Sequence, residues 1–554
     1  MKHSNKKLII LLFIVPFIFI RCTSILDVKP PMTQVTDNFY LNQNDAFQGL
    51  TSVYNVLTWS APSTSAGSAQ NAPFEVISEI LGDCCYGGGA NANDIPSTVR
   101  ISRFQVLASD PAPEALWHKY YTGIYRANQL LIKIDSIPFD SANFKAAYKA
   151  EAKFLRAYYY FDLVRLFGNV PLILTPITPA DFAQKQVAPE EVYKQIAADL
   201  LSAITAKKSN GTDALVKSSA VQAATDKGRV TKAAAEALLA RVWLYYTGYY
   251  NKTTLGSLAA TDIIGYVDDV INNSGNDLMA NGYTKTNIVA GTKLGVSPLF
   301  DVTNKNNIEG VFEIQYSSLS KWGDWTNRQG CMGNQGIILW GIRDVGAPYA
   351  AGWSFAPVNK KAFDKFDPTD PRRMASFINA NKSLVAGDDG EALNYTAGYQ
   401  NTGYFCRKFT PLTRNNGTAG SRELNYPNNF PVIRFADVLL MGAELQLAYG
   451  DKNTALTYYK RVKERAMGAG TVTTTAGALT IDLIYDERYY ELALEGHRYW
   501  DVLRRGQDYA KQTLSNGEQG DFAVSYNTTR MGIFPIPQYE ITQSKGSLVQ
   551  NPGY

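Results

Sequence analysis

Apolar residues recur at helical spacing over 45–57, 114–134, 143–167, 189–206, 231–247 and 481–503, which predicts a helix over each segment. In the 143–167 segment Phe154, Tyr158 and Phe161 stand at i, i+4 and i+7, one face of a helix that stops before Gly168 and Pro171. A further pair reads through 443–466. Leu440, Ala443 and Leu447 mark one face, Gly450 and Asp451 turn the chain, and Ala455, Tyr459, Val462 and Ala466 mark the next. Short connections between such helices imply about four hairpins that bury their apolar faces by stacking.

Between about 251 and 435 the helical period fades, and Gly, Asn, Pro and Trp accumulate, which predicts loops and short strands. Four of the eight tryptophans, Trp322, Trp325, Trp340 and Trp353, fall in this stretch. Trp322 and Trp325 sit among Lys, Gly, Asp, Thr and Asn, where core burial explains them poorly, and a flat indole is suited to stacking on the apolar face of a pyranose. Trp340 and Trp353 have apolar neighbours and read as anchors for the loops. The Ser/Gly/Thr-rich stretches 58–72, 207–228 and 468–479 are short and flanked by strong helices, so they read as surface loops on one body.

At the N-terminus Lys2, Lys6 and Lys7 precede the 13-residue apolar run Leu8–Ile20, long enough for a signal peptide and too short to span a bilayer. Cys22 follows at once, the position at which bacterial lipoproteins are cut and lipidated. Arg21 stands where such signals usually carry a small residue. With Arg21, the three lysines account for the whole formal charge of +4, so residues 22–554 are neutral and lack the basic balance expected of a nucleic-acid binder. Aromatic content is 12% with 34 Tyr, most of them at helical spacing and therefore read as packing. Beyond Cys22, the cysteines Cys84, Cys85, Cys331 and Cys406 allow three disulfide connectivities. They lack paired two-residue spacing, and only His118 and His497 follow the signal, so no metal site is expected.

Four blocks carry a family resemblance: EAKFLRAYYYFDLVRLFGNVP (151–171), FADVLLMGAELQLAYGD (435–451), ERYYELALEGHRYWDVLRRG (487–506) and the terminal NPGY (551–554). Together they resemble the SusD/RagB family of nutrient-binding outer-membrane lipoproteins. The resemblance implies a mainly α fold: a tetratricopeptide-like scaffold over about 22–250 and 431–554, a loop-rich binding insertion over about 251–430, and a signal peptide at 1–21. It implies that Cys22 is lipidated and holds the protein at the cell-surface side of the outer membrane. It further implies non-catalytic capture of oligosaccharide and its delivery to a SusC-like TonB-dependent transporter, with no cofactor. In the family the loops after the first long helix and those of the insertion converge on one ligand face. Asp83, Tyr86, Asn91 and Asn93, from SEILGDCCYGGGANAND (78–94), are then polar partners of the indoles. A glycine-rich turn whose Asp and Asn satisfy their own backbone is the alternative. Two other functions fit the scaffold: a peptide or glycopeptide binder of the RagB kind, and a tetratricopeptide adaptor for another protein.

An enzyme is the rival class. The carboxylate sets in the sequence are Asp367 with Asp370, and Glu487, Glu491 and Glu495 at i, i+4 and i+8. A glycosidase needs two carboxylates facing across a cleft. Asp370 instead opens a DPRR turn, and the glutamates lie beside Arg488, Arg498 and Arg504, which reads as an ion-pair network borne on one helix. No nucleophile elbow, phosphate loop or dinucleotide fingerprint occurs.

Overall fold

Side-chain caps set where the helices start. Asn42 accepts from the backbone of Asp45 ahead of Gln43–Asn55, Ser141 from Asn143 ahead of Ala142–Phe167, Thr231 from Ala234 ahead of Lys232–Tyr250, and Asp451 from Asn453 and Thr454 ahead of Lys452–Met467. Proline opens Pro111–Lys133 and Pro189–Thr205, where its missing N–H costs nothing. The computed structural model describes residues 39–60, 73–178, 181–280, 282–283, 297–323, 331–381, 393–415 and 420–554. The signal segment with Cys22 and the loop carrying Trp325 lie outside the described residues.

The helices stack in chain order. Gln43–Asn55 packs on Pro111–Lys133, that helix on Ala142–Phe167, and the sequence continues through Pro189–Thr205, Lys232–Tyr250 and Ala260–Asn273. Ala260–Asn273 then packs on Phe435–Tyr449, which pairs with Lys452–Met467. The stack therefore makes four hairpins, and the last docks on the third although the whole insertion separates them in sequence. The expected single stripe on the 143–167 helix is an underestimate: from Leu163 to Phe167 and through Phe154–Phe161 every residue is buried. Burial this complete encloses the helix on all sides, and its buried charges are paired, Arg156 with Asp199 and Arg165 with Asp162. Its rings reach different neighbours, Phe154 meeting Phe312 edge-on at 5.0 Å, Tyr159 donating to the Val53 carbonyl at 2.6 Å and Tyr160 to the Ile173 carbonyl at 2.7 Å.

Two corrections concern elements. Ala260–Asn273 is a helix inside the stretch expected to lose helical order, and it buries Ile263, Val267, Val270 and Ile271. The helix expected over 481–503 is two, Ile481–Glu491 and Arg498–Leu503, separated by a turn in which Leu494 (φ +66°) and Gly496 (φ +78°) are left-handed.

That break changes the expected ion pairs. The strand Phe430–Arg434 runs antiparallel to Gly310–Ile314 and delivers Arg434 into the interior. Its guanidinium donates to Glu491 at 2.7 Å and to Glu495 at 2.6 and 2.9 Å, and it also pairs with Glu309. Lys408 reaches Glu495 at 2.7 Å, Arg465 bridges Glu309 and Glu491, and Arg372 joins Asp370, Glu487 and Glu491. The partners of the three glutamates thus come from the insertion and the last hairpin. Arg488, Arg498 and Arg504 pair instead with Asp437 and Asp501, with Asp83, and with Glu444 and Asp501. Burial alone raises the Glu491 pKa, but Arg465, Arg434 and Arg372 outweigh it and hold the carboxyl well below its ordinary range.

Candidate functional site

The 78–94 segment leaves the short helix Phe74–Ile80 and is sewn to the insertion by backbone bonds. Tyr86 N–H donates to the Pro357 carbonyl at 3.0 Å, Gly89 N–H to Ser354 at 2.9 Å, and Tyr399 N–H to Gly89 at 2.8 Å. Gly88 (φ +73°) permits this approach, because a Cβ there would lie 2.5 Å from the Ser354 carbonyl oxygen.

Within this frame the expected residues fare differently. Asp83 is held bidentately by Arg498 at 2.7 and 2.9 Å, so its carboxylate is already committed. Tyr86 is 4% exposed; its hydroxyl donates to Glu518 at 2.9 Å and its ring meets Phe522 edge-on at 5.1 Å. Asn91 and Asn93 are exposed, and the Asn91 side-chain oxygen accepts from Asn93 N–H at 2.9 Å, a local turn that orders the tip. Thus Asp83 and Tyr86 fix the loop while its asparagines face out.

Trp322 is half-buried. The wholly buried Asn425 grips its backbone from both sides, accepting from Trp322 N–H and donating to the Trp322 carbonyl, each at 2.8 Å. Gly420 (φ +78°) lets the opposing turn close on Lys321 and Trp322. Trp340 is 2% exposed beside Phe409, an anchor as expected.

The two surfaces are joined by Ala351–Phe355. Arg422, in the turn that holds Trp322, donates to the Ala351 carbonyl at 3.4 Å, while Gly88 bridges to Phe355. Arg343 donates to both the Trp353 carbonyl at 2.9 Å and Asp94 at 3.2 Å. Extended chain rises about 3.3 Å per residue, so the two attachments lie within roughly 13 Å along this segment. Trp353 stands between them, packed against the core as the expected anchor and still partly exposed. Tyr399 extends the rim, accepting from Arg103 at 3.1 Å and donating to Asp521 at 2.7 Å. Its setting in TAGYQNTGY, a ring among Gly, Thr and Asn, is the signal that singled out Trp322 and would have found it too.

The acids weighed for catalysis are engaged elsewhere. Asp367 is exposed and accepts from the Thr369 backbone and hydroxyl at 2.8 and 2.6 Å, whereas Asp370 caps Pro371–Ser376 and pairs with Arg372. Cys84, Cys85, Cys331 and Cys406 are buried, and none of the three disulfide connectivities among them is formed in the structure. Among the described residues no cluster of three or more His, Cys, Asp or Glu could hold a metal ion, and no helix is long and apolar enough to cross a membrane.

Comparison with known proteins adds six findings. A model of the SusD family matches residues 308–554, and a second, described as starch-binding associating with outer membrane, matches 26–244. A SusD-like protein of Bacteroides ovatus is 27% identical over 437 residues, 75% of this chain and 70% of its own, and SusD-like protein P2 of Formosa agariphila is 28% identical over 82% of this chain and 83% of its own. Among solved structures, a laminarin binding SusD-like protein is 30% identical with a TM-score of 0.75, covering 93% of this chain and all of that one. Surface glycan-binding protein A from Bacteroides thetaiotaomicron, in complex with laminarihexaose, is 26% identical with a TM-score of 0.76 over 92% of this chain and 99% of that one.

Proposed function

Because the chain belongs to the SusD family, we propose that it captures oligosaccharides at the face joining Trp322, Trp353 and the 86–94 loop, and releases them chemically unchanged. The observation that carries this reading is the partly exposed pair Trp322 and Trp353, whose backbones are fixed by Asn425 and Arg343 and whose attachments lie on one short segment. Rings held in advance lose little freedom on stacking against a sugar. Asn93, Tyr399, Arg103 and Asp521 ring that face with donors and acceptors suited to hydroxyls. Trp325 belongs to the same reading through its neighbour Trp322. Asp83, Tyr86 and Asn91 act by holding the loop in place.

The wider role follows the same family. A lipid on Cys22 holds residues 22–554 at the outer face of the outer membrane, with the 251–430 insertion supplying binding loops to the helical scaffold. A SusC-like TonB-dependent transporter receives the bound glycan. Laminarin-type glycans are the first to test, because the named laminarin and laminarihexaose binders resemble this chain over nearly its full length. Purified protein is expected to be retarded in a native gel containing laminarin and, incubated with laminarihexaose or maltohexaose, to release no reducing ends. Reducing-end release that disappears in Asp367→Asn or Asp370→Asn would overturn the non-catalytic reading.

A further inference from the structure

Three segments remote in sequence enclose a hollow of about 750 Å³ that shares no lining residue with the face above. One wall is the Pro111–Lys133 helix, the second combines Pro171, Ile173 and Ile177 with Phe182 and Gln184, and the third is the C-terminal stretch from Tyr539 to Leu548. Its volume lies in the range of small-ligand sites, which run to several hundred Å³. The helical wall is rigid: Trp117 packs against Tyr121 with ring centroids 4.9 Å apart and edge-on against Phe167 at 5.2 Å, and the Tyr121 hydroxyl donates to the Pro171 carbonyl at 2.8 Å.

Three further rings lining this hollow are left largely in water. Tyr125 is 47% exposed, Phe182 67% and Tyr539 54%. Large rings gathered around one concavity and left exposed mark a surface meant to be covered. Polar groups share the lining. His118 Nε2 lies 2.8 Å from Glu540 Oε1, an arrangement that ties the helix to the C-terminal wall. Gln543 and Lys545 are exposed at the edge of the hollow.

A ligand that fills the hollow must therefore offer flat apolar surface to the rings and hydroxyl groups to Glu540 and Gln543 within the same short span. A wholly apolar side chain meets the first demand and leaves the second unmet, which costs free energy for each buried polar atom. A pyranose meets both, with C–H faces above and below a rim of hydroxyls. We propose that this hollow is a second oligosaccharide site, for one to three sugar units, an inference that rests on the glycan-binding reading of the protein.

The test is calorimetric titration of the mature chain with laminarihexaose and with maltohexaose, comparing the parent with Phe182→Ala, Glu540→Gln and Trp353→Ala. Phe182 is mostly in solvent and Gln keeps the volume of Glu, so melting curves of both variants should match the parent. The expected result is two glycan equivalents per chain. Phe182→Ala and Glu540→Gln each weaken one of them about tenfold, the loss of roughly one stacking or charge-assisted contact, while Trp353→Ala weakens the other. A single equivalent lost in Trp353→Ala and untouched by Phe182→Ala and Glu540→Gln overturns the second site and leaves the first reading standing. A single equivalent weakened by Phe182→Ala and indifferent to Trp353→Ala upholds the hollow and overturns the face. No binding of either glycan by the parent overturns both.

Discussion

Trp322, Trp340 and Trp353 share one loop-rich stretch and meet three environments. Trp340 lies in a run of apolar neighbours and is packed away, so Trp340→Ala should open a cavity and cost about 3–5 kcal/mol of stability in denaturant unfolding. Trp322→Ala, at a half-exposed ring, should cost less than about 1 kcal/mol in the same measurement. Neighbouring residue types made the burial of Trp340 legible in the sequence. They misjudged Tyr86, which is covered by Glu518 and Phe522 from the far end of the chain. Glu79 offers a pH test at the same scale. It is wholly buried, one carboxylate oxygen accepts from Gly496 N–H and the other has no partner among the described residues. Burial, opposed by that backbone donor and by Lys408, pushes its pKa up to about 8 from an ordinary 4.5. The unfolded chain then ionises Glu79 before the folded one does, so the stability it contributes below pH 4.5 is lost progressively as pH rises to about 8. Glu79→Gln removes that slope. Its melting temperature relative to the parent should rise between pH 5 and pH 8.5, and a difference independent of pH would contradict the assignment.

Among the elements, the helices with clean apolar periodicity, caps and prolines were legible to within a few residues, as at Pro189–Thr205 and Lys232–Tyr250. Ala260–Asn273 carries the same signal, Ile263, Val267, Val270 and Ile271 at helical spacing, and was obscured by the Asn- and Gly-rich chain around it. The break after Glu491 was not legible. Helix continuity there yields to a set of long-range ion pairs that bring Glu491 and Glu495 together around Arg434, and no local pattern encodes partners that far away. Arg434 links the Phe430–Arg434 strand, Glu309 beside its partner strand, and the 491–496 turn. Arg434→Met leaves three buried carboxylates short of a cation and should cost about 3–5 kcal/mol. Equilibrium unfolding in urea reads this directly, and added salt should not restore the loss, because these groups are screened little by solvent ions. A change under about 1 kcal/mol would show that the network is replaceable.

For the whole molecule, stacked hairpins give a stiff support, and the insertion leaves it between the third and fourth hairpins to form the proposed binding face. The fold was readable from the 443–466 hairpin pattern and the family blocks, while the face was only half readable, since its backbone seams join 86–89 to 354–357 and 399. The proposed lipid on Cys22 can be tested directly: Cys22→Ser expressed without the proposed transporter should move from the membrane fraction to the soluble one, each lipid CH₂ contributing about 0.8 kcal/mol to anchoring. Persistent membrane association of Cys22→Ser would contradict that assignment. The most direct measurement of the central claim is the calorimetric titration of laminarihexaose and other oligosaccharides into the parent and into a Trp322→Ala, Trp353→Ala double variant, with melting curves alongside. The expected result is saturable binding by the parent, weakened roughly tenfold or more in a variant that melts within a few degrees of it. Equal binding by the two proteins, or no binding of any glycan by the parent, would contradict it.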